Sequence, residues 1–234
     1  MSFENKNILI IGASSGIGER LAERLQTQNA NLFTASRTMN AAIKSQFFYW
    51  DVNKKPESVF DSLPDKLHGL VYLPGTINLK PFHRFVREDF MNDFQVNVMG
   101  AIAAIQSNLG RLKSADGASI VLFSTVATKI GMGFHTSIAI SKGAIEGLAI
   151  SLASELASYK IRCNVIAPSL TDTPLTKNLL SNEEKRIAAA KRHPLGRVGT
   201  ANDISAMAQL LLSDEGSWIT GQIIGIDGGM SSLK

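Results

Sequence analysis

The chain has 234 residues, of which 44% are hydrophobic and 19% charged, and a formal net charge of +4. These values describe a globular chain with a large core. The basic residues are scattered and not interleaved with aromatics, so neither the stripe nor the stacking platform that nucleic-acid binding needs is present. The single cysteine, Cys163, excludes an intramolecular disulfide and sits in an apolar run as a small core residue.

Residues 1–6 enter a strand pattern directly, without a signal-peptide apolar region, and no apolar run approaches the ~20 residues of a membrane span. The expectation is a cytoplasmic protein that engages neither membrane nor metal. Apolar or β-branched runs at 7–11, 31–35, 47–50, 69–73, 119–123, 162–167 and 222–226 alternate with helical patterns. The clearest helices are at 18–28, 90–112, 142–158 and 204–212. Runs apolar on both faces predict a sheet buried on both sides. Strict alternation with helices predicts parallel strands joined by right-handed crossovers. The predicted fold is α/β: one doubly wound Rossmann domain over residues 1–234, with about seven parallel strands. No repeat, linker or low-complexity tract divides it.

Residues 170–197 form the main irregular excursion. Within it Asn182 reads as an N-cap, Glu183 and Glu184 fall in the first turn, and Lys191 and Arg192 in the last. A helical flap here lies beside the carboxyl ends of the strands. It is either a lid or a surface helix. Leu170, Leu175, Leu179 and Leu180 would give such a lid an apolar inner face.

The first strand runs into Gly12-Ala-Ser14-Ser15-Gly16-Ile17-Gly18 and then a helix. Gly12 permits the tight turn, Gly16 and Gly18 admit close backbone approach, and the helix N-terminus offers free N–H groups to a pyrophosphate. The second strand ends in Ser36-Arg37-Thr38, and no acidic residue occurs between Glu23 and Asp51. An acid there would grip both ribose hydroxyls of NAD, whereas the Arg37 fork suits a 2′-phosphate, with Ser14, Ser36 and Thr38 as hydroxyl partners. The expected cofactor is NADP(H); an arginine merely solvated at the strand end is the competing reading. The stretch from Arg37 to Asp51 is too short for the usual crossover helix, so a loop is expected there.

The glycine spacing resembles that of the short-chain dehydrogenase/reductase family, and the resemblance extends over nearly the whole chain. Asp51-Val52 is similar to the family's adenine-contacting pair, Asn97 to its helix-bending, water-relaying asparagine, and Asn164-Val-Ile-Ala-Pro168-Ser169 to its nicotinamide-side loop. Thr171 and Thr173 follow on the carboxamide side, and Gly75 closes the fourth strand. Pro194-Leu-Gly-Arg197-Val-Gly and Ile219-Thr-Gly221…Asp227-Gly-Gly229 resemble the carboxyl-terminal signatures of the carrier-protein-reductase branch.

The resemblance implies a serine, tyrosine and lysine that orient the substrate and move its proton. Thr125, beside Ser124, stands at the serine position, and Lys142 at the lysine position. At the tyrosine position stands Ile138, which exchanges no proton. General acid–base help is typically worth roughly 10²–10⁴ in rate, so another group or water must supply it if the chain is an enzyme. His135, three residues before Ile138, is one candidate; Tyr72, in Tyr72-Leu73-Pro74-Gly75 where the family has Asn-Asn-Ala-Gly, is another, or else a buried strand tyrosine. The function expected is an NADP(H)-dependent oxidoreductase with an atypical site, catalytic through Asn97, Ser124, Thr125, Lys142 and His135. The alternative is a non-catalytic NADP(H)-binding sensor or scaffold. The expected partners are a small-molecule substrate and further copies of the chain, packed as a homodimer or homotetramer through the helices at 90–112 and 142–158.

Overall fold

The computed structural model describes residues 1–233. In chain order it contains β1 (Asn7–Ile11), α1 (Gly16–Gln26), β2 (Asn31–Ser36), β3 (Gln46–Tyr49), β4 (Gly69–Tyr72), α2 (Arg87–Phe94), α3 (Gly100–Ser114), β5 (Ala118–Phe123) and a short α4 (Ala127–Ile130). There follow α5 (Thr136–Leu156), β6 (Ile161–Pro168), β7 (Thr171–Asp172), α6 (Glu183–Ala190), β8 (Gly199–Thr200), α7 (Ala201–Leu212) and β9 (Ile223–Ile226). Seven strands form one sheet in the order β3-β2-β1-β4-β5-β6-β9, and every pairing in it is parallel. The order reverses between β1 and β4, which opens a crevice beyond the carboxyl ends of those strands.

Strand alternation fills both faces. Leu9, Ile11, Leu70, Tyr72, Ile120 and Leu122 enter one core with α3 and α5. Ile8, Ile10, Val71, Val121 and Phe123 enter the other with α1 and α7. Burying each large aliphatic side chain contributes about 1.5–3 kcal/mol, so the sheet is anchored from both sides. Cys163 is fully buried in the first core.

The strands lie within a residue or two of the predicted runs, and no helix separates β2 from β3. Two helix boundaries differ from expectation. The predicted helix at 90–112 is broken by a π-helical segment, Gln95–Met99, between α2 and α3. The Tyr72 hydroxyl donates to the Val96 carbonyl at 2.5 Å, taking up a carbonyl of the irregular turn. Gly100 leaves room for that ring, since a Cβ there would lie 2.1 Å from the hydroxyl. The helix predicted from 142 begins at Thr136, so His135 is its N-cap. In α6, Asn182 does cap: its side chain accepts the Lys185 amide at 2.9 Å. Lys191 is the C-cap and Arg192 lies just past it, where the last helical turn was expected. Among the described residues no helix is long and apolar enough to cross a membrane, and none of their His, Cys, Asp and Glu side chains cluster into a metal site.

Candidate active site

The glycine loop leaves β1 and starts α1 with Ser15 at the N-cap, where its side chain makes no capping bond. The first amides of α1 therefore stay open toward an anion. Gly18 admits no side chain, because a Cβ would lie 2.2 Å from the Gly12 carbonyl oxygen. Thr173 lies close against Gly16, and Ile17 lines the main cavity. At the end of β2, Ser36 donates to the Thr38 carbonyl at 2.7 Å, and Arg37 is exposed. The Ser14 carbonyl accepts from Asn40, which ties this strand end to the loop. Asp51 accepts from the amide and side chain of Asn53, and Val52 packs beside Gly100. Ser36, Arg37, Thr38, Asp51 and Val52 do not line that cavity.

The cavity, about 460 Å³, lies between the ends of β4, β5 and β6, α5, and the 3₁₀ segment Pro174–Leu180 with α6. Its walls are mostly apolar: Leu73, Ile77, Leu79, Phe123, Val126, Ile138, Leu170, Leu175 and Leu179. On its floor Lys142 is buried and donates from Nζ to the Phe123 carbonyl at 2.9 Å. Burial lowers its pKa from 10.5 to about 8. Gly75 runs beside it: a Cβ there would lie 3.1 Å from Asn97 Oδ1 and 3.4 Å from Lys142 Nζ.

Asn97, in the π segment, donates to Thr76 Oγ1 at 3.0 Å and to the Asp93 carbonyl at 2.8 Å. Its Oδ1 is buried with no partner. A buried acceptor of this kind can take a hydrogen-bond donor, and Gly75 lies against both it and the Lys142 Nζ. Behind it Asp93 accepts from Thr76 at 2.6 Å and from Ser137 at 2.6 Å. Ser137 is thereby engaged in the support of Asn97 and does not act on the cavity.

The two hydroxyls after β5 differ in use. Ser124 donates to Glu146 at 2.5 Å, and Glu146 also accepts from Thr128 at 2.8 Å. Thr125 accepts the Ala127 amide at 3.3 Å, which leaves its own O–H for the cavity it lines. Ile138, buried, and His135 line the same cavity. The His135 Nδ1 is 2.6 Å from the Gly133 carbonyl, which only accepts, so Nδ1 holds the proton and Nε2 of the neutral ring carries none. Tyr72 does not line the cavity; it lies under the π segment with its phenol pushed by burial far above the ordinary range. It is the buried strand tyrosine of the sequence expectation and not a proton donor to the cavity.

Pro168, Ser169, Thr171 and Thr173 all border the cavity from the β6 side. Thr176 fastens this loop by donating to the Thr171 carbonyl at 2.5 Å. One residue here had no sequence signal beyond its place before Pro194. His193 is buried, and its Nε2 lies 2.8 Å from Ser169 Oγ.

A doubly wound parallel sheet, a glycine loop opening a helix at the order switch, and a buried lysine lining the adjoining cavity define a dinucleotide-fold oxidoreductase. The family model for enoyl-(acyl carrier protein) reductases matches residues 12–231. A tropinone reductase homologue of Arabidopsis thaliana is 35% identical over 98% of this chain and 94% of its own length. Senescence-associated protein 13 of the same plant is 32% identical over 94% of this chain and 88% of its own. A short-chain dehydrogenase family protein from Francisella tularensis superposes with a TM-score of 0.91 at 27% identity, covering 97% of this chain and 99% of the other. The chain belongs to the short-chain dehydrogenase/reductase family.

Proposed function

We propose that this protein is an NADP(H)-dependent oxidoreductase whose proton handling departs from the family's tyrosine pattern. The observation that carries the reading is the junction of an open glycine loop with a cavity lined by Lys142 and by Gly75, against which the unpartnered Asn97 Oδ1 also lies. The residues fit a nicotinamide dinucleotide. Gly12, Ser14, Ser15, Gly16, Ile17 and Gly18 would hold the pyrophosphate; Ser36, Arg37 and Thr38 the 2′-phosphate; Asp51 and Val52 the adenine. Gly75, Lys142, Pro168, Ser169, Thr171 and Thr173 would surround the nicotinamide ribonucleoside. The reduced cofactor supplies hydride when bound.

Within the cavity, Thr125 O–H orients the substrate's polarised atom, and Lys142 with Asn97 fixes the ribose and an ordered water. Ile138 contributes only apolar surface. The family description names an enoyl reductase, and reduction of a polarised C=C or C=N bond suits this site better than alcohol–ketone interconversion. Such a bond can be protonated by water or by a group other than residue 138. The lining selects a compact, largely apolar substrate. The exposed stripe Ile140, Gly143, Gly147 and Ile150 on α5 is the surface we assign to a homodimer or homotetramer.

Fluorescence titration tests the cofactor assignment. NADPH is expected to bind roughly 10–100-fold more tightly than NADH, the worth of charged hydrogen bonds to a phosphate, and Arg37→Ala to erase that margin. Equal affinities in the unaltered protein would overturn it. Turnover is tested with NADPH across ketones, quinones, imines and activated alkenes. The absence of a tyrosine at 138 favours one second reading, a cofactor-binding sensor: tight NADPH binding with no turnover across that panel would establish it.

A further inference from the structure

We propose that Ser169, hydrogen-bonded to the buried His193, is the proton donor of this site. The proposal rests on the oxidoreductase reading above and supplies the group that Ile138 lacks. Ser169 lines the cavity on the side opposite α5, where the β6 loop borders the substrate space. Its Oγ lies 2.8 Å from His193 Nε2. His193 Nδ1 lies 2.8 Å from the Ala189 carbonyl. A carbonyl only accepts, so Nδ1 carries a proton in every state of the ring, and Nε2 is the position that gains or loses one. A buried imidazole thus has one nitrogen locked to the backbone and the other aimed at a hydroxyl that faces an apolar cavity. That is the arrangement of a proton relay and not of a packing histidine.

The surroundings of the two candidate histidines differ. His135 caps the N-terminus of α5, the positive end of that helix, and its ring donates to Gly133 on its own loop. His193 follows α6 and hydrogen-bonds one of its last carbonyls, at the negative end. The charged group facing it from another element is Asp227, in the loop after β9, which accepts from the Gly229 and Ser231 amides. Arg192, its chain neighbour, borders the cavity. The ring therefore has three fixed partners: the Ala189 carbonyl, Ser169 and the field of Asp227.

The step balances as follows. The reduced nicotinamide, when bound, would supply hydride for a new C–H bond at the electrophilic carbon of the enone or imine, leaving the π electrons on the conjugated oxygen or the nitrogen. That heteroatom takes the proton of Ser169 Oγ while the Nε2 proton of the His193 imidazolium passes to Oγ. The neutral ring is reprotonated from water through the cavity. Ser169 touches the reacting atom and is the catalytic residue; His193 acts through it and is a positioning and proton-supplying residue.

The test uses the full-length protein with NADPH and three probes: phenanthrenequinone, cyclohexenone and 3,4-dihydroisoquinoline. Ser169→Ala and His193→Gln are each expected to lower kcat roughly 10²–10⁴-fold, far more than either weakens NADPH binding, and Ser169→Thr to retain most of the turnover. His193→Gln keeps a hydrogen-bonding atom toward Ser169 without a titrating proton, so the acid-to-neutral dependence of kcat should flatten. Ile138→Tyr should make turnover independent of Ser169. Apart from activity, imidazole ¹⁵N shifts should report a protonated Nδ1 on His193 and an Nε2 resonance that moves in Ser169→Ala. Unchanged kcat and pH profile in both variants, with the unaltered protein active, would overturn the relay alone. Bound NADPH without turnover of any probe overturns the oxidoreductase reading and the relay with it.

Discussion

Burying the Lys142 ammonium costs stability, because the charged form loses water and gains only the Phe123 carbonyl. Its pKa falls from 10.5 to about 8, so between those values the unfolded chain binds the proton and the folded chain does not. Stability from this group therefore rises as pH increases from about 8 toward 10.5, and below about 8 the full penalty applies. At about 1.36 kcal/mol per pKa unit, the penalty is on the order of 3 kcal/mol. Lys142→Met is expected to be more stable than the unaltered protein at neutral pH, by up to about that amount, with the difference shrinking through the alkaline window. Urea denaturation of both proteins across that range measures it, and NADPH titration should show weaker binding in the variant. The sequence placed Lys142 in the site through its spacing from position 138, but its cost and its partner depend on where β5 ends.

At the scale of elements, the π segment is a joint product of Tyr72 and Gly100. Tyr72→Phe removes the donor to the Val96 carbonyl and is expected to cost about 1–3 kcal/mol, or roughly 2–4 °C in Tm per kcal/mol for a chain of this size. Calorimetry checks the loss, and turnover should persist because Tyr72 does not reach the cavity. The Pro194–Val198 signature also gains a physical reason. Arg197 pairs with Asp203 at 2.7 and 2.9 Å. Asp203 in turn accepts the Thr200 amide at 2.8 Å in the capping box of α7. Hydrogen bonding to Arg197 holds the Asp203 carboxyl well below the usual range. Its stabilisation is present at neutral pH and is lost as pH falls through the acid range toward that lowered value. Asp203→Asn is expected to cost about 1 kcal/mol at neutral pH, with the gap to the unaltered protein narrowing in acid; thermal melts at both pH values check it. Strand runs were legible because each core face receives alternate residues of the same strand. The π break was not, because Tyr72 and Gly100 are distant in sequence. The early start of α5 was hidden by the Gly131-Met-Gly133 stretch, which reads as loop.

Across the whole molecule, the crevice joins a glycine-loop end built by β1, α1 and β2 to a cavity end built by β4, β5, β6 and α5. The face of α5 turned away from the sheet leaves Ile140 at 55% and Ile150 at 50% exposure, with Gly147 between them and nothing within 4 Å of where its Cβ would be. A side chain at 147 fits the single chain but obstructs the proposed helix-to-helix contact. Gly147→Glu is expected to reduce the assembly to smaller species in light scattering, with the fold retained by circular dichroism. The sequence by itself determined the sheet, the parallel sense of its strands, the glycine loop and the position of Lys142, because periodicity and short motifs act locally. Only the tertiary structure decided which polar groups meet: Asn97 Oδ1 left without a partner, Tyr72 sealed beneath the π segment, and Ser169 set against His193. Those pairings join residues far apart along the chain, and packing of the β6 loop against the end of α6 is what brings the last of them within hydrogen-bond reach.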